Sequence, residues 1–229
     1  MTPDNASPYP DVPDASATEP APQAEEPAGG GDAIAASSPR KRPKPGERRV
    51  QILRTLAAML EQPGAERVTT AALAARLAVS EAALYRHFAS KAQMFEGLIE
   101  FIETTLFSLV NKIQSETADG VSQAEQIVAM LTGFAEKNPG MTRVLIGDAL
   151  VSEDERLQVR MNQVYDRIEA ALRQSLRTAQ MGNAWHGDPS ADSAALLAYV
   201  VGRWTLFAKS GFKRLPLANW DAERKFLFD

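Results

Sequence analysis

Three side chains, Ala82, Tyr85 and Arg86, have the types and the spacing that suit binding to a nucleic acid. They lie at spacings of three and four residues, so on a helix they share one face. The small Ala82 allows the helix to approach a partner closely. Arg86 can donate to a base edge or a phosphate, and the hydroxyl of Tyr85 can reach a phosphate. This face indicates DNA binding if the fold presents it to a groove.

Catalytic and metal-binding residue sets are not recognisable in the sequence. The chain has no cysteine, which excludes disulfides, thiolate metal sites and cysteine nucleophiles. Its two histidines, His87 and His186, have no second histidine at metal-ligand spacing, and neither belongs to a recognisable triad. There is no phosphate-binding loop motif. We therefore expect neither an enzyme nor a bound cofactor or metal ion.

The chain also lacks the signals of membrane insertion and export. No apolar run approaches the roughly 20 residues that cross a bilayer. The N-terminus has no basic segment followed by an apolar one, which is the pattern of a secretory signal. We expect a cytoplasmic protein.

The stretch from Thr69 to Lys91 predicts two short helices joined by a tight turn, and these helices must position the three side chains above. Thr69 or Thr70 can cap the first helix and Ser80 the second, since their hydroxyls accept hydrogen bonds from free first-turn amides. Each helix has one inward pair of apolar residues four positions apart, namely Leu73 with Leu77 and Leu84 with Phe88.

This helix pair has two interpretations. It is a helix-turn-helix, whose second helix enters the DNA major groove, or it is a plain helical hairpin inside an all-α core. The apolar pattern alone fits both. The outward face of Ala82, Tyr85 and Arg86 favours the helix-turn-helix.

The net charge of −4 hides a segregation along the chain. Residues 1–39 hold seven acidic residues and no lysine or arginine, whereas residues 40–95 hold eleven basic residues against four acidic ones, a net charge of +7. The remaining residues carry −4. The positive charge is concentrated on the segment that contains the helix pair, which is typical of a nucleic-acid binder.

The N-terminal region, residues 1–46, reads as a tail rather than a domain. Residues 1–39 are rich in proline, alanine, glycine, serine and acids, a composition that predicts disorder. The basic run from Arg40 to Arg49 resembles the flexible arms that DNA-binding proteins lay along phosphates or in the minor groove. A solvated charge run is the alternative interpretation.

The sequence SEAALYRHFASK resembles the DNA-binding signature of TetR-type regulators, in which a Leu-Tyr-His/Arg-Phe run is followed by a lysine that opens the fourth helix. The resemblance implies a three-helix DNA-binding domain at residues 47–91, a helical dimerisation and partner-binding domain at residues 92–229, and a homodimer formed by the last two long helices. The DNA partner would be a palindromic duplex. The residues expected to contact it are Arg48, Thr69, Thr70, Ser80, Ala82, Tyr85, Arg86, His87 and Lys91.

The rest of the chain predicts helices of 3.6-residue periodicity and no strands, hence an all-α fold. Proline, glycine and polar runs separate them. The predicted helices cover residues 47–62, 91–115, 123–137, 141–150, 154–179, 190–210 and 220–228, with a loop at residues 117–122.

Beyond the DNA-binding signature, the similarity continues from about Arg48 to Phe226. Through GFAEKNPGMTRVLIGDAL and ERLQVRMNQVYDRIEAALRQ, the chain resembles a branch of the TetR-type regulators that inhibits cell division over the nucleoid. The resemblance implies a groove for the C-terminal tail of the tubulin-like division protein FtsZ. The groove residues that it implies are Phe101, Met130, Gly133, Lys137 and Asn138.

These observations leave two functions to compare. The first is a DNA-binding division inhibitor, associated with the nucleoid, that holds chromosomal DNA and FtsZ together and disrupts FtsZ polymers. The alternative is a ligand-responsive transcriptional repressor of the TetR type, which would need a cavity with convergent polar groups in the C-terminal domain. The predicted helix faces around Phe95, Leu131 and Val164 are almost wholly apolar, which disfavours a polar effector.

Overall fold

The computed structural model of the chain describes residues 46–62 and 68–228. Within those ranges it contains helices and no strand, which confirms the all-α fold. The α-helices are α1 (Glu47–Leu60), α2 (Thr70–Arg76), α3 (Glu81–Tyr85), α4 (Lys91–Glu116), α5 (Gly120–Lys137), α6 (Pro139–Leu145), α7 (Glu155–Met181), α8 (Pro189–Lys209) and α9 (Trp220–Phe228). A 3₁₀ turn at Asp148–Leu150 follows α6. The predicted acidic tail and most of the basic arm lie outside the described residues.

One apolar core runs through both predicted domains. Leu53 of α1 and Phe88 after α3 belong to the same cluster as Leu131 of α5 and Trp204 of α8. The indole of Trp204 is fully buried, and its Nε1 donates to the carbonyl oxygen of Leu131 at 2.9 Å. The DNA-binding helices therefore rest on the C-terminal bundle, which adds to the small core of a three-helix unit.

Two predicted boundaries in the middle of the chain are wrong. The expected loop at residues 117–122 is shorter, because the carboxylate of Asp119 accepts from the amides of Val121 and Ser122 and starts α5 at Gly120. The expected helix at residues 141–150 is interrupted by Gly147, whose φ of 79° is left-handed. It is divided into α6 and the 3₁₀ turn.

The other helices agree with the sequence to within two residues. α1 ends at Leu60 rather than Gln62, and α7 extends to Met181. α8 turns Leu196, Val200, Trp204 and Phe207 inward. Its small residues lie on the opposite, exposed side, at Ala194, Ala198 and Gly202. Along residues 46–62 and 68–228, none of the helices combines the length and the apolar character needed to cross a membrane.

Candidate nucleic-acid interface

The two helices of the predicted helix-turn-helix are closed by the expected caps. Thr69, not Thr70, caps α2, and its hydroxyl accepts from the amide of Ala72 at 3.2 Å. Ser80 caps α3 in the same way. The hydroxyl of Thr70 instead donates to the carboxylate of Glu81 at 2.6 Å, which ties the start of α2 to the start of α3. Local hydrogen bonds therefore fix the angle between the helices.

The inward side of this helix pair is anchored in the core. Leu73, Leu84 and Phe88 each retain about one per cent of their surface. Between the helices, Ala78 has a φ of 51°, in the left-handed region that a non-glycine residue seldom adopts. The turn is therefore tight, and Leu77 is only partly buried beside it.

The outward side of α3 presents the side chains that the sequence selected. Ala82, Arg86 and His87 are exposed, and Tyr85 retains 45% of its surface. α3 itself ends at Tyr85, and Arg86 follows as its C-cap in a helical conformation. The structure thus leaves a small residue, a phenol, a guanidinium and an imidazole accessible to solvent at the end of a short helix.

The arginines at the start of α1 have different surroundings. Arg48 donates to the side chain of Gln51 at 2.7 Å and stays near the helix surface. Arg49 lies over the ring of Phe88 at 4.2 Å and donates to the carbonyl oxygen of His87 at 3.1 Å. Sequence reasoning missed this positioning role because 38 residues separate Arg49 from His87. The only sequence signal was its place in the basic run.

Lys91, a predicted DNA contact, forms an ion pair within the structure. Ser90 caps α4, so Lys91 stands in its first turn as expected. Its ammonium forms an ion pair with Glu153, from the segment before α7, and lies 5.7 Å from the centre of the Phe95 ring. Lys91 therefore links the DNA-binding helices to the C-terminal domain.

The five predicted partner residues have unequal access to solvent. Lys137 is exposed, and Phe101 and Gly133 are partly exposed. Met130 retains only 6% of its surface and Asn138 only 3%. The amide of Asn138 donates to the carbonyl oxygen of Phe134 at 2.8 Å, so it fixes the break between α5 and α6. In the single chain, the accessible residues of this set are Phe101 on α4 and the ridge of Gly133 and Lys137 on α5.

A cavity of about 370 Å³ lies where α1, α6 and the end of α8 meet. Arg143 lines it, and its Nε and Nη1 atoms are buried without a hydrogen-bond partner. Its Nε lies 3.7 Å from a carboxylate oxygen of Asp148. By contrast, Phe95, Leu131 and Val164 are completely buried in apolar surroundings, as the sequence predicted. Among the described residues, no cluster of three or more histidine, cysteine or acidic side chains could hold a metal ion.

Comparison with known proteins finds a matching family model for the N-terminal region and another for the C-terminal region. Residues 52–98 match the family model of bacterial regulatory proteins of the TetR family. Residues 118–229 match a model named SlmA-like C-terminal domain of tetracycline-repressor-like proteins. The nucleoid occlusion factor SlmA of Vibrio cholerae serotype O1 is 51% identical over 177 residues, which cover 76% of this chain and 90% of the relative. The nucleoid occlusion factor SlmA of Alteromonas mediterranea is 47% identical over 178 residues, which cover 77% of this chain and 91% of the relative.

The chain belongs to the SlmA family of nucleoid occlusion factors. Its membership confirms a TetR-type DNA-binding factor acting in nucleoid occlusion and favours this function over the ligand-responsive repressor. The SlmA relatives are DNA-binding regulators and not enzymes, as the sequence predicted for this chain.

Solved structures show how widely the SlmA-family chain shares its fold. The TetR-family regulator PfmR from Thermus thermophilus superposes with a TM-score of 0.66 at 22% identity, covering 78% of this chain and 97% of PfmR. FadR from Bacillus subtilis, solved in complex with stearoyl-CoA, superposes with a TM-score of 0.65 at 11% identity. The match covers 79% of this chain and 97% of FadR. At these identities the likeness establishes the fold alone.

Proposed function

We propose that this protein binds palindromic chromosomal DNA and the C-terminal tail of FtsZ together, and thereby disrupts FtsZ polymers over the nucleoid. The observation that carries the proposal is the similarity to SlmA, which runs through the DNA-binding and C-terminal domains alike. The arrangement of exposed side chains supports each half of the proposal separately.

The DNA half rests on the outward face of α3. Exposed Ala82, Tyr85 and Arg86 enter the major groove, and Arg48, His87 and Lys91 contact the flanking phosphates. Thr69, Thr70 and Ser80 lie at the helix starts, where amides and hydroxyls also face the phosphates. A dimer would place two such helices about 34 Å apart, which matches a palindrome read on one side of the duplex.

The dimer that the palindromic site requires is proposed to form through α8. Ala194, Ala198 and Gly202 recur every four residues and form an exposed strip of small side chains. α7 packs along α8, so two copies of this helix pair meet as a four-helix bundle. Nothing lies within 4 Å of a Cβ added at Gly202, which leaves that side open to a second chain.

The partner half rests on α5. Lys137 offers a positive charge to the tail peptide, and the neighbouring Gly133 has no side chain to keep a peptide backbone away. Phe101 of α4 adds an apolar, partly exposed ring. Met130 and Asn138 act from beneath this surface, where they support α5 and its end.

The first test is fluorescence anisotropy of a labelled FtsZ C-terminal peptide, titrated with the protein with and without a palindromic duplex. We expect micromolar binding that Lys137→Glu abolishes while DNA affinity is unchanged. Lys112→Glu is the matched control, because Lys112 is an exposed lysine near the far end of α4. Failure of the wild-type protein to bind the peptide, with DNA binding intact, would favour the ligand-responsive repressor.

A substitution in the proposed DNA-binding surface tests the DNA-binding part of the proposal. Arg86→Ala should weaken binding to the palindrome by about 1–3 kcal/mol and relax its sequence preference. Arg177→Ala, an exposed arginine on α7, removes the same charge away from α3 and should leave the affinity unchanged. Equal affinities for the wild type and Arg86→Ala would remove Arg86 from the interface.

A further inference from the structure

The chain after α8 turns back, and Arg203 makes three of the hydrogen bonds that hold it. Arg203 of α8 donates from Nε to the carbonyl oxygen of Pro216 at 2.9 Å and from Nη2 to that of Leu215 at 3.1 Å. Its Nη1 reaches the carboxylate of Glu223 on α9 at 3.1 Å. The hydroxyl of Tyr199 donates to the same carboxylate at 2.6 Å. We call residues 215–228 the C-terminal segment.

The C-terminal segment lies along α5. The amide of Leu217 donates to the carboxylate of Glu136 at 2.6 Å, and Arg224 pairs with Glu125 at 3.0 Å. A Cβ placed on Gly133 would lie 3.3 Å from Cδ1 of Leu217. The side chain of Leu217 therefore stands at the edge of the Gly133 ridge.

The opposite flank of α5 belongs to α4. Near its start, Gln123 donates to the carbonyl oxygens of Gln114, at the end of α4, and of Thr117. At 100° per residue, Gln126, Gly133 and Lys137 fall within about 40° of one another on α5. None of the three is fully buried, whereas Ala129 and Met130, to either side of that ridge, retain 6% each. The ridge therefore lies between α4, on one flank of α5, and the C-terminal segment on the other.

We infer that the C-terminal segment is the second wall of the FtsZ-tail groove, with Leu217 as the contact residue and Arg203 as the positioning residue. The inference rests on the proposed function and adds residues to it. Phe101 and Leu217 are the apolar walls, and Lys137 is the cation on the floor. Such a groove suits an extended peptide that combines apolar side chains with a carboxylate.

The variants follow from the contacts. Leu217→Ala removes the side chain of the wall, and Arg203→Met removes the three hydrogen bonds that Arg203 donates to the C-terminal segment. Each should weaken peptide binding about tenfold, the loss expected when a buried apolar contact is removed. Arg203→Lys keeps the positive charge but has a single donor nitrogen, and it should recover part of that loss. Phe226→Ala is the matched control, because Phe226 retains 90% of its surface on the outer side of α9.

The Gly133 contact gives an independent readout. Gly133→Ala pushes against Cδ1 of Leu217, a flexible end that shifts by a few tenths of an ångström. If the two residues face the same peptide, the loss in the double variant Gly133→Ala with Leu217→Ala will differ from the sum of the single losses. Strict additivity would place Leu217 outside the peptide-bound surface and would overturn the inference.

The same peptide titration decides between a wall and its alternatives. Weaker peptide binding by Leu217→Ala and Arg203→Met, with DNA affinity unchanged, supports the wall. Tighter binding would show that the segment covers the groove as a lid, and unchanged binding would place it outside the site. Both results overturn the inference while wild-type binding still supports the proposed function. Failure of the wild-type protein to bind, which is measured first, would overturn the proposed function itself.

Discussion

Lys91, at the first turn of α4, forms an ion pair with Glu153, which lies 62 residues further along the chain. In the proposed DNA-binding mode, Lys91 also contacts a phosphate. The carboxylate of Glu153 would then compete with DNA for the same ammonium group, and this competition would couple DNA binding to the C-terminal domain.

Replacing Glu153 by glutamine should raise the affinity for DNA. The change frees Lys91 for a phosphate, and the gain should be up to about fivefold, since pairs near the surface contribute about 0.2–1 kcal/mol. Because another phosphate contact forms, the salt dependence should also become steeper. Anisotropy titrations of a palindromic duplex at several salt concentrations measure both. Glu155→Gln is the control, since it removes the same charge two residues away at an exposed position. Equal gains in DNA affinity for the two variants would show that the effect comes from net charge and not from the release of Lys91.

Replacing Gly140 by alanine should loosen the junction between the domains. A Cβ at Gly140 would lie 1.9 Å from the carbonyl oxygen of Ala57, so α6 and α1 meet backbone to backbone. Backbone cannot move aside as a side chain does, and we expect a loss of about 1–3 kcal/mol or more in urea unfolding. The control is Gly182→Ala, where φ is −81° and the nearest atom is 3.5 Å away. An unchanged midpoint for Gly140→Ala would contradict the packing described for these two helices.

A large charged residue at Ala198 should separate the proposed dimer. Ala198 is exposed in the single chain, so Ala198→Arg should cost the isolated fold little, within about 0.5 kcal/mol. Light scattering after size-exclusion chromatography should show the mass falling from two chains to one chain of 24.9 kDa. Binding to a palindrome should fall with it, because two half-sites are then no longer held together. Asn111→Arg, on the exposed face of α4, should leave the mass unchanged. A dimeric Ala198→Arg protein would place the interface elsewhere.

The start of α7 should lose a stabilising charge in acid. The side chain of Arg156 donates to the carboxylate of Asp154, and this lowers the pKa of Asp154 from 3.8 to about 2. Since the folded pKa lies below the unfolded one, the stabilisation is complete above about pH 4. It is lost as the pH falls through about 2.

Asp154→Asn tests this directly, because asparagine still caps a helix but carries no charge. The variant should be less stable than the wild type at neutral pH, and the gap should narrow as the pH falls below about 4. Urea unfolding across that range measures it. Asp119→Asn should behave in the same direction, since hydrogen bonds from Ser122 lower the pKa of Asp119. A gap independent of pH would assign the effect to capping geometry alone.

Where the sequence decided the structure, the interactions are local. Thr69, Ser80 and Asp154 cap their helices through amides two or three residues away. Leu84 and Phe88 face inward because they are four residues apart on one turn of chain. The same local rules placed Ala82, Tyr85 and Arg86 on the outer surface, and the bounds of α9 agree with the prediction to the residue.

The tertiary structure alone decided the contacts between segments that are distant in the chain. Glu153 forms an ion pair with Lys91, Arg203 donates to the carbonyl oxygens of the turn before α9, and Leu217 lies beside Gly133. Sequence periodicity reports which face of a helix is apolar, but not which helix covers it. For that reason it could not show that Met130 and Asn138 are buried whereas Lys137, on the same helix end, is free to meet a partner.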